Sequence, residues 1–210
     1  MNVKEAYNEW AEQYDTNENK TRDAEAATLR EALKDFCFES CLEIGCGTGK
    51  NTEWLLTKCG GIVSVDLSEE MLAKAKAKIK TDKVRFVQAD INKEWDFARD
   101  RKFDLVTFSL VLEHIENLEK VFERLKEVTA DNGYVYVGEL HPFKQYRGTK
   151  ARYETDKGLQ IVNCFNHNVS DFIRAASNNG FQIIYLSEYF DDNDRKTIPR
   201  VLVLMFKKRS

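Results

Sequence analysis

The sequence has no apolar stretch approaching membrane-spanning length, so no transmembrane helix is expected. Its opening, Met1-Asn2-Val3-Lys4-Glu5, lacks the apolar core of a secretion signal. The five cysteines, Cys37, Cys41, Cys46, Cys59 and Cys164, form no C-x-x-C pair. An odd, scattered set points to reduced thiols and a cytoplasmic location. With only three histidines as well, no metal site is expected. There is no basic excess either: 32 Lys and Arg face 35 Asp and Glu, for a net charge of −3. That balance argues against a nucleic-acid partner. Internal repeats and low-complexity tails are missing.

What is present suits one soluble domain. The 210 residues are 42% hydrophobic and 32% charged, enough for a sizeable core. Strand and helix patterns alternate, which predicts a parallel sheet with helices on both faces. Helices are expected near 3–14, 22–36, 69–80, 117–129 and 169–179, the fourth ended by Asn132-Gly133 and the last by Gly180. Strands are expected near 40–44, 62–66, 84–87, 103–108, 134–138, 181–189 and 200–206. The last two are joined by a short polar link, Asp191 to Arg195, too short for a crossover helix, so they should run antiparallel. Residues 141–168 break the alternation, as a functional lid often does.

One loop stands out: Glu43-Ile44-Gly45-Cys46-Gly47-Thr48-Gly49-Lys50-Asn51, between the first strand and a helix. Glycines let a loop turn tightly and approach a ligand closely. The G-x-x-x-x-G-K-[ST] phosphate loop is absent. So is the third glycine of G-x-G-x-x-G, since Lys50 holds that place. Glu43 would repel a pyrophosphate and suits a cationic ligand with an amino group.

This loop resembles motif I of the class I S-adenosylmethionine (SAM) methyltransferases, and the resemblance extends over roughly Tyr7 to Lys207. It implies an α/β, Rossmann-like, seven-stranded, mostly parallel sheet with an antiparallel last strand. It implies one domain over 1–210, with 1–36 as a helical lid and 141–168 as a substrate cap. Glu43, Gly45, Cys46, Gly47, Gly49 and Asn51 would take the methionine part of SAM, with Tyr14 facing its carboxylate. Asp66, ending the second strand, can accept from both ribose hydroxyls. Leu67 would cover the adenine face and Asp90 accept from the adenine amino group. Met71, Ala89 and Ile91, and Ser109 and Leu110 after the fourth strand, would border the cofactor.

The stretch Leu112-Glu113-His114 resembles the L-E-H segment of small-molecule methyltransferases, with His114 near the methyl group. His141, after the fifth strand, is expected to line the site with it. Lys144, Arg147, Lys150, Arg152 and Lys157, set among Phe143, Tyr146 and Tyr153, could clamp a small anionic or aromatic acceptor. The resemblance therefore implies methyl transfer to a small molecule by a monomer or homodimer. A non-catalytic SAM sensor, a partner subunit, and a protein or RNA methyltransferase remain alternatives. A nicotinamide oxidoreductase is disfavoured by the missing glycine.

Overall fold

The computed structural model describes residues 2–156 and 158–210. Lys157, one of the expected clamp residues, lies outside them. The strands β1 (Phe38–Ile44), β2 (Cys59–Asp66), β3 (Val84–Gln88), β4 (Phe103–Ser109), β5 (Thr129–Leu140), β8 (Phe181–Tyr189) and β9 (Val201–Lys208) form one sheet in the order β3-β2-β1-β4-β5-β9-β8. β3, β2, β1, β4 and β5 run parallel, and β9 lies antiparallel between β5 and β8. This is the Rossmann-like α/β architecture expected.

Strand periodicity sorts the core into two layers. Along β9, Leu202, Leu204 and Phe206 enter one apolar cluster while Val201, Val203 and Met205 enter the other. The first layer is closed by α5 (Leu118–Val128) and α7 (Val169–Asn178), which bring Phe122, Leu125, Phe172 and Ala176 onto the sheet. The second is closed by α2 (Lys20–Leu33) and α3 (Lys50–Leu55), through Leu29, Leu33 and Leu55. α4 (Glu69–Lys78) starts at Ser68, whose hydroxyl accepts from Met71 N–H at 3.1 Å. It buries Met71, Leu72 and Ala75. No helix among the described residues is long and apolar enough to cross a membrane.

Three local expectations change. The first helix, α1 (Val3–Trp10), is shorter than the aromatic pattern suggested and gives way to turns over 11–16. α5 ends at Val128, capped by Thr129, before Asn132-Gly133 is reached. That dipeptide instead lies in an irregularity of β5, where the ladder steps from Phe103↔Thr129 to Leu105↔Tyr134 and Asn132 takes φ +62°. The 141–168 segment is more ordered than its composition indicated. It holds α6 (Pro142–Tyr146) and a hairpin of β6 (Arg152–Thr155) with β7 (Gly158–Ile161).

The hairpin and the N-terminal helix pack on each other. Tyr153 stacks on Trp10 with ring centroids 5.3 Å apart, and its hydroxyl donates to Glu9 at 2.8 Å. Ala6, Trp10, Tyr153 and Val162 form a small apolar cluster of their own. Two segments remote in sequence thus make one cover over the carboxyl edge of the sheet. Polar contacts hold that cover down: Thr48 donates to Asp15 at 2.5 Å, and Ser68 to Asn8 at 2.7 Å.

Candidate active site

The strand ends of β1, β2, β3 and β4 open onto one crevice of about 110 Å³, roofed by Val3, Tyr7 and Tyr14. Its depth depends on Gly45. That residue has φ +73°, and a Cβ there would stand 2.2 Å from Val111 Cγ2. The next glycine, Gly47 at φ +53°, donates its N–H to Asp66 Oδ2 at 2.8 Å. Asp66 Oδ1 accepts from Ser68 N–H, also at 2.8 Å. One carboxylate therefore ties the loop after β1 to the turn after β2. Each oxygen keeps a lone pair for a further donor. Burial raises the Asp66 pKa, and the backbone donors of Ser68, Gly47 and Leu67 oppose the rise.

Gly45, Gly47, Asp66, Leu67, Ala89, Asp90, Ile91, Ser109, Leu110, Tyr14 and His114 all line this crevice. Asp90 also accepts from Asn92 N–H at 2.9 Å, so it shapes its own turn as well as facing the cavity. Glu43, Cys46 and Asn51 lie around a smaller chamber of about 50 Å³, which shares Tyr14, Gly45, Gly47, Ser109 and Leu110 with the crevice. Met71, Gly49 and His141 are on neither wall. Met71 is buried at 1% exposure. Gly49 is the N-cap of α3, and a Cβ there would meet Ile79 at 2.8 Å. His141 is 1% exposed and works elsewhere: Phe143 N–H donates to its Nδ1 at 3.2 Å. The proton is then on Nε2, which donates to Glu188 at 2.9 Å. Burial, partly offset by Glu188, lowers its pKa and keeps it neutral. It caps α6 and braces β8 instead of lining the site.

The small chamber contains a buried pair of carboxylates. Glu43 Oε2 accepts from Thr52 and Ser64 hydroxyls at 2.6 and 2.7 Å, and burial pushes its pKa to about 7. Glu25, from α2, accepts from Asn51 Nδ2 at 3.0 Å and from Tyr136 hydroxyl at 3.1 Å. Burial likewise pushes it to about 7, against hydrogen bonds from Ser109, Asn51 and Tyr136. Beside them, the Arg22 guanidinium sits 4.0 Å from the Tyr14 ring centroid. Glu25 and Arg22 were not anticipated. The signal was available in Glu25, Leu29 and Leu33, where a charge occupies an apolar stripe at i, i+4, i+8.

His114 is held by two partners. Its Nδ1 lies 2.8 Å from the Asn163 carbonyl, which can only accept, so Nδ1 carries the proton. Nε2 is then the acceptor for the Tyr7 hydroxyl at 2.9 Å. The single turn Leu112–His114 that presents this ring is capped by Glu139, whose carboxylate accepts from Val111, Leu112 and Glu113 N–H at 3.0, 2.8 and 3.3 Å. Burial, and then the neighbouring Glu113, push Glu139 up to about 8.

A third chamber, about 270 Å³, adjoins the crevice and shares Tyr7, Tyr14 and Leu110 with it. Thr149, Lys150, Ala151 and Arg152 bring the 141–168 segment to this chamber. Phe143 and Tyr146, expected there, are exposed at 57% and 58%. His167 donates to the Ile115 carbonyl at 2.7 Å and braces the loop before α7.

A model of the family described as "Methyltransferase domain" matches residues 42–137, from within β1 to within β5, and includes every strand end of the crevice. That stretch, 96 of the 210 residues, is a methyltransferase domain of this family. It is 26% identical to an uncharacterised methyltransferase of Emericella nidulans, over 96% of this chain and 83% of that protein. It is 28% identical to a malonyl-[acyl-carrier protein] O-methyltransferase of Priestia megaterium, over 59% of this chain and 45% of that one. Its fold is shared with the N-methyltransferase NodS of Bradyrhizobium japonicum bound to S-adenosylhomocysteine (SAH). The TM-score is 0.71 at 17% identity, covering 98% of this chain and 100% of that one. Among the described residues no cluster fit for a metal ion exists.

Proposed function

We propose that this methyltransferase transfers the methyl group of SAM to a small molecule by direct in-line displacement, with the acceptor in the chamber behind Tyr7 and Tyr14. The observation that carries this reading is the shared wall: Tyr7, Tyr14 and Leu110 face both the cofactor crevice and the outer chamber. A group lodged there approaches the crevice from the side of His114.

The chain's own residues fit the cofactor. Asp66 would accept from the ribose hydroxyls with the lone pairs left over from Gly47 and Ser68. Asp90 and Ile91 would edge the adenine and Leu67 cover its face. Glu25 and Glu43 would face the ammonium and sulfonium of the cofactor, and Arg22 with Tyr14 its carboxylate. Bound SAM supplies an electrophilic methyl on a positively charged sulfur. The protein's work is alignment and exclusion of water by the N-terminal cover, effects worth on the order of 7–11 kcal/mol in favourable cases. A protonated nucleophile would need a base, and His114 would act as one through the Tyr7 hydroxyl that donates to its Nε2.

The Priestia relative is named as an O-methyltransferase and NodS as an N-methyltransferase, so kinship leaves the acceptor atom open. The direct test is release of SAH when the protein is given SAM and a fractionated small-molecule extract. Turnover restricted to low-mass fractions supports the reading. Tight SAM binding with no turnover on any fraction would make the chain a non-catalytic binder instead.

A further inference from the structure

We propose that the acceptor is a small zwitterion, an amine that also carries a carboxylate or comparable anionic group, with its nitrogen as the methylated atom. This rests on the reading that the outer chamber is the acceptor site. Two buried groups on the chamber wall each keep one polar atom unpaired, although the Glu113 carboxyl also takes hydrogen bonds from Cys164 and Gln145 and burial raises its pKa. Glu113, 5% exposed, has one carboxylate oxygen with no hydrogen-bond partner among the described residues. Trp10, also 5% exposed, has an indole N–H in the same condition. Native interiors rarely leave such groups unpaired, and a buried carboxylate is the more costly of the two.

The charges are arranged in depth. Arg22 bonds the carbonyls of Tyr14 and Asn17 and has its remaining donors reserved for the cofactor carboxylate, and Arg200 is held by Asp191 through two bonds of 2.5 Å. What remains is one inner acid, Glu113, and three cations on the rim, Lys20, Lys150 and Arg152. All three are exposed and form no ion pair among the described residues. One exposed acid, Glu18, stands on the same rim. A hydroxyl could give Glu113 a hydrogen bond but no compensating charge. An ammonium supplies both, and an anionic group at the other end of the same molecule meets the rim cations and the Trp10 N–H. The aromatic walls of Tyr7, Trp10 and Tyr14 add cation–π attraction for the ammonium.

The proton accounting closes with groups already placed. An ammonium must shed one proton before its lone pair can attack. Tyr7 hydroxyl, on the chamber wall, can take that proton while passing its own to His114 Nε2. The nitrogen lone pair then forms the N–C bond as the C–S bond breaks, and the C–S electron pair stays on sulfur. The product is the N-methylated ammonium, and the His114 imidazolium returns its proton to solvent.

The test is calorimetry on the full chain saturated with SAH. The probes are the common amino acids and short ω-amino carboxylates, each paired with its hydroxy acid and with the amine lacking the carboxylate. At least one zwitterion should bind about tenfold or more tighter than both of its counterparts. Glu113→Gln should erase the preference over the hydroxy acid, and Lys20→Ala, Lys150→Ala and Arg152→Ala together the preference over the simple amine, with SAH affinity unchanged in each. Should a variant not fold, the wild-type comparison alone decides. Hydroxy acids or uncharged compounds binding as well as every zwitterion would overturn this assignment while leaving the small-molecule reading intact. Binding of none of these probes, with SAH bound, would overturn it too, and turnover on a macromolecular substrate would then remove the small-molecule reading as well.

Discussion

The Tyr7 hydroxyl donates to Nε2 of His114 at 2.9 Å, across 107 residues of sequence, and joins the N-terminal cover to the turn after β4. With Nδ1 on the Asn163 carbonyl, the geometry fixes one tautomer. Nitrogen-detected NMR should show His114 protonated at Nδ1 and bare at Nε2 near neutral pH. Tyr7→Phe should shift the Nε2 resonance and lower stability by about 1 kcal/mol. A proton found on Nε2 would remove His114 as the base.

Asp66 holds both the glycine loop and the start of α4, so its loss should be felt twice. Asp66→Ala is expected to weaken SAH binding by roughly 1–3 kcal/mol. Calorimetry reads this directly, and an unchanged affinity would move the ribose elsewhere.

Gly45→Ala would set a Cβ 2.2 Å from Val111 Cγ2 at a φ of +73°. Loss of SAH binding together with about 1–3 kcal/mol of stability is the expected result. Adding Val111→Ala should recover the part due to crowding, leaving the part due to backbone conformation. A thermal melt showing no recovery would mean that Val111 does not set this approach.

Glu25 and Glu43 have pKa values raised to about 7, and Glu139 to about 8, from an ordinary 4.5. A raised carboxyl binds its proton more tightly in the folded state. The stability it contributes is full below the unfolded value and is lost as pH rises through the folded one. The melting temperature of the free protein should therefore fall from about pH 5 to about pH 8. His141, held neutral, works in the opposite direction, but the raised carboxyls, with Asp66 and Glu113 among them, outnumber it. SAM brings positive charge to Glu25 and Glu43, so its affinity should rise over the same interval. Melting temperatures flat across that range, with and without SAM, would contradict the placement of both carboxylates.

His141→Ala should cost about 1–3 kcal/mol of stability, since Glu188 and the start of α6 lose their partner. SAH affinity should stay within a few fold. A large loss of cofactor binding in a folded variant would return His141 to the site.

Much of this arrangement was legible in the chain. Strand ends such as Asp66, Asp90 and Ser109 follow short apolar runs, and a parallel sheet gathers them at one edge. Glu139 stands at the end of a strand, but its task of capping the Leu112–His114 turn depends on backbone N–H groups 26 to 28 residues away. The partnership of Trp10 with Tyr153 was equally hidden, because a hairpin of two four-residue strands carries too little periodicity to announce itself. His141 misled for a related reason. Its position after β5 is that of a site residue, and only the contact with Glu188 on β8 shows it turned to bracing the sheet.

The most direct measurement is a crystal structure of the protein with SAH. The account predicts ribose hydroxyls on Asp66, the amino-acid end among Glu25, Glu43 and Arg22, and the sulfur facing the chamber lined by Tyr7 and Glu113. A sulfur directed away from Tyr7, with that chamber closed off from it, would contradict the account at its centre.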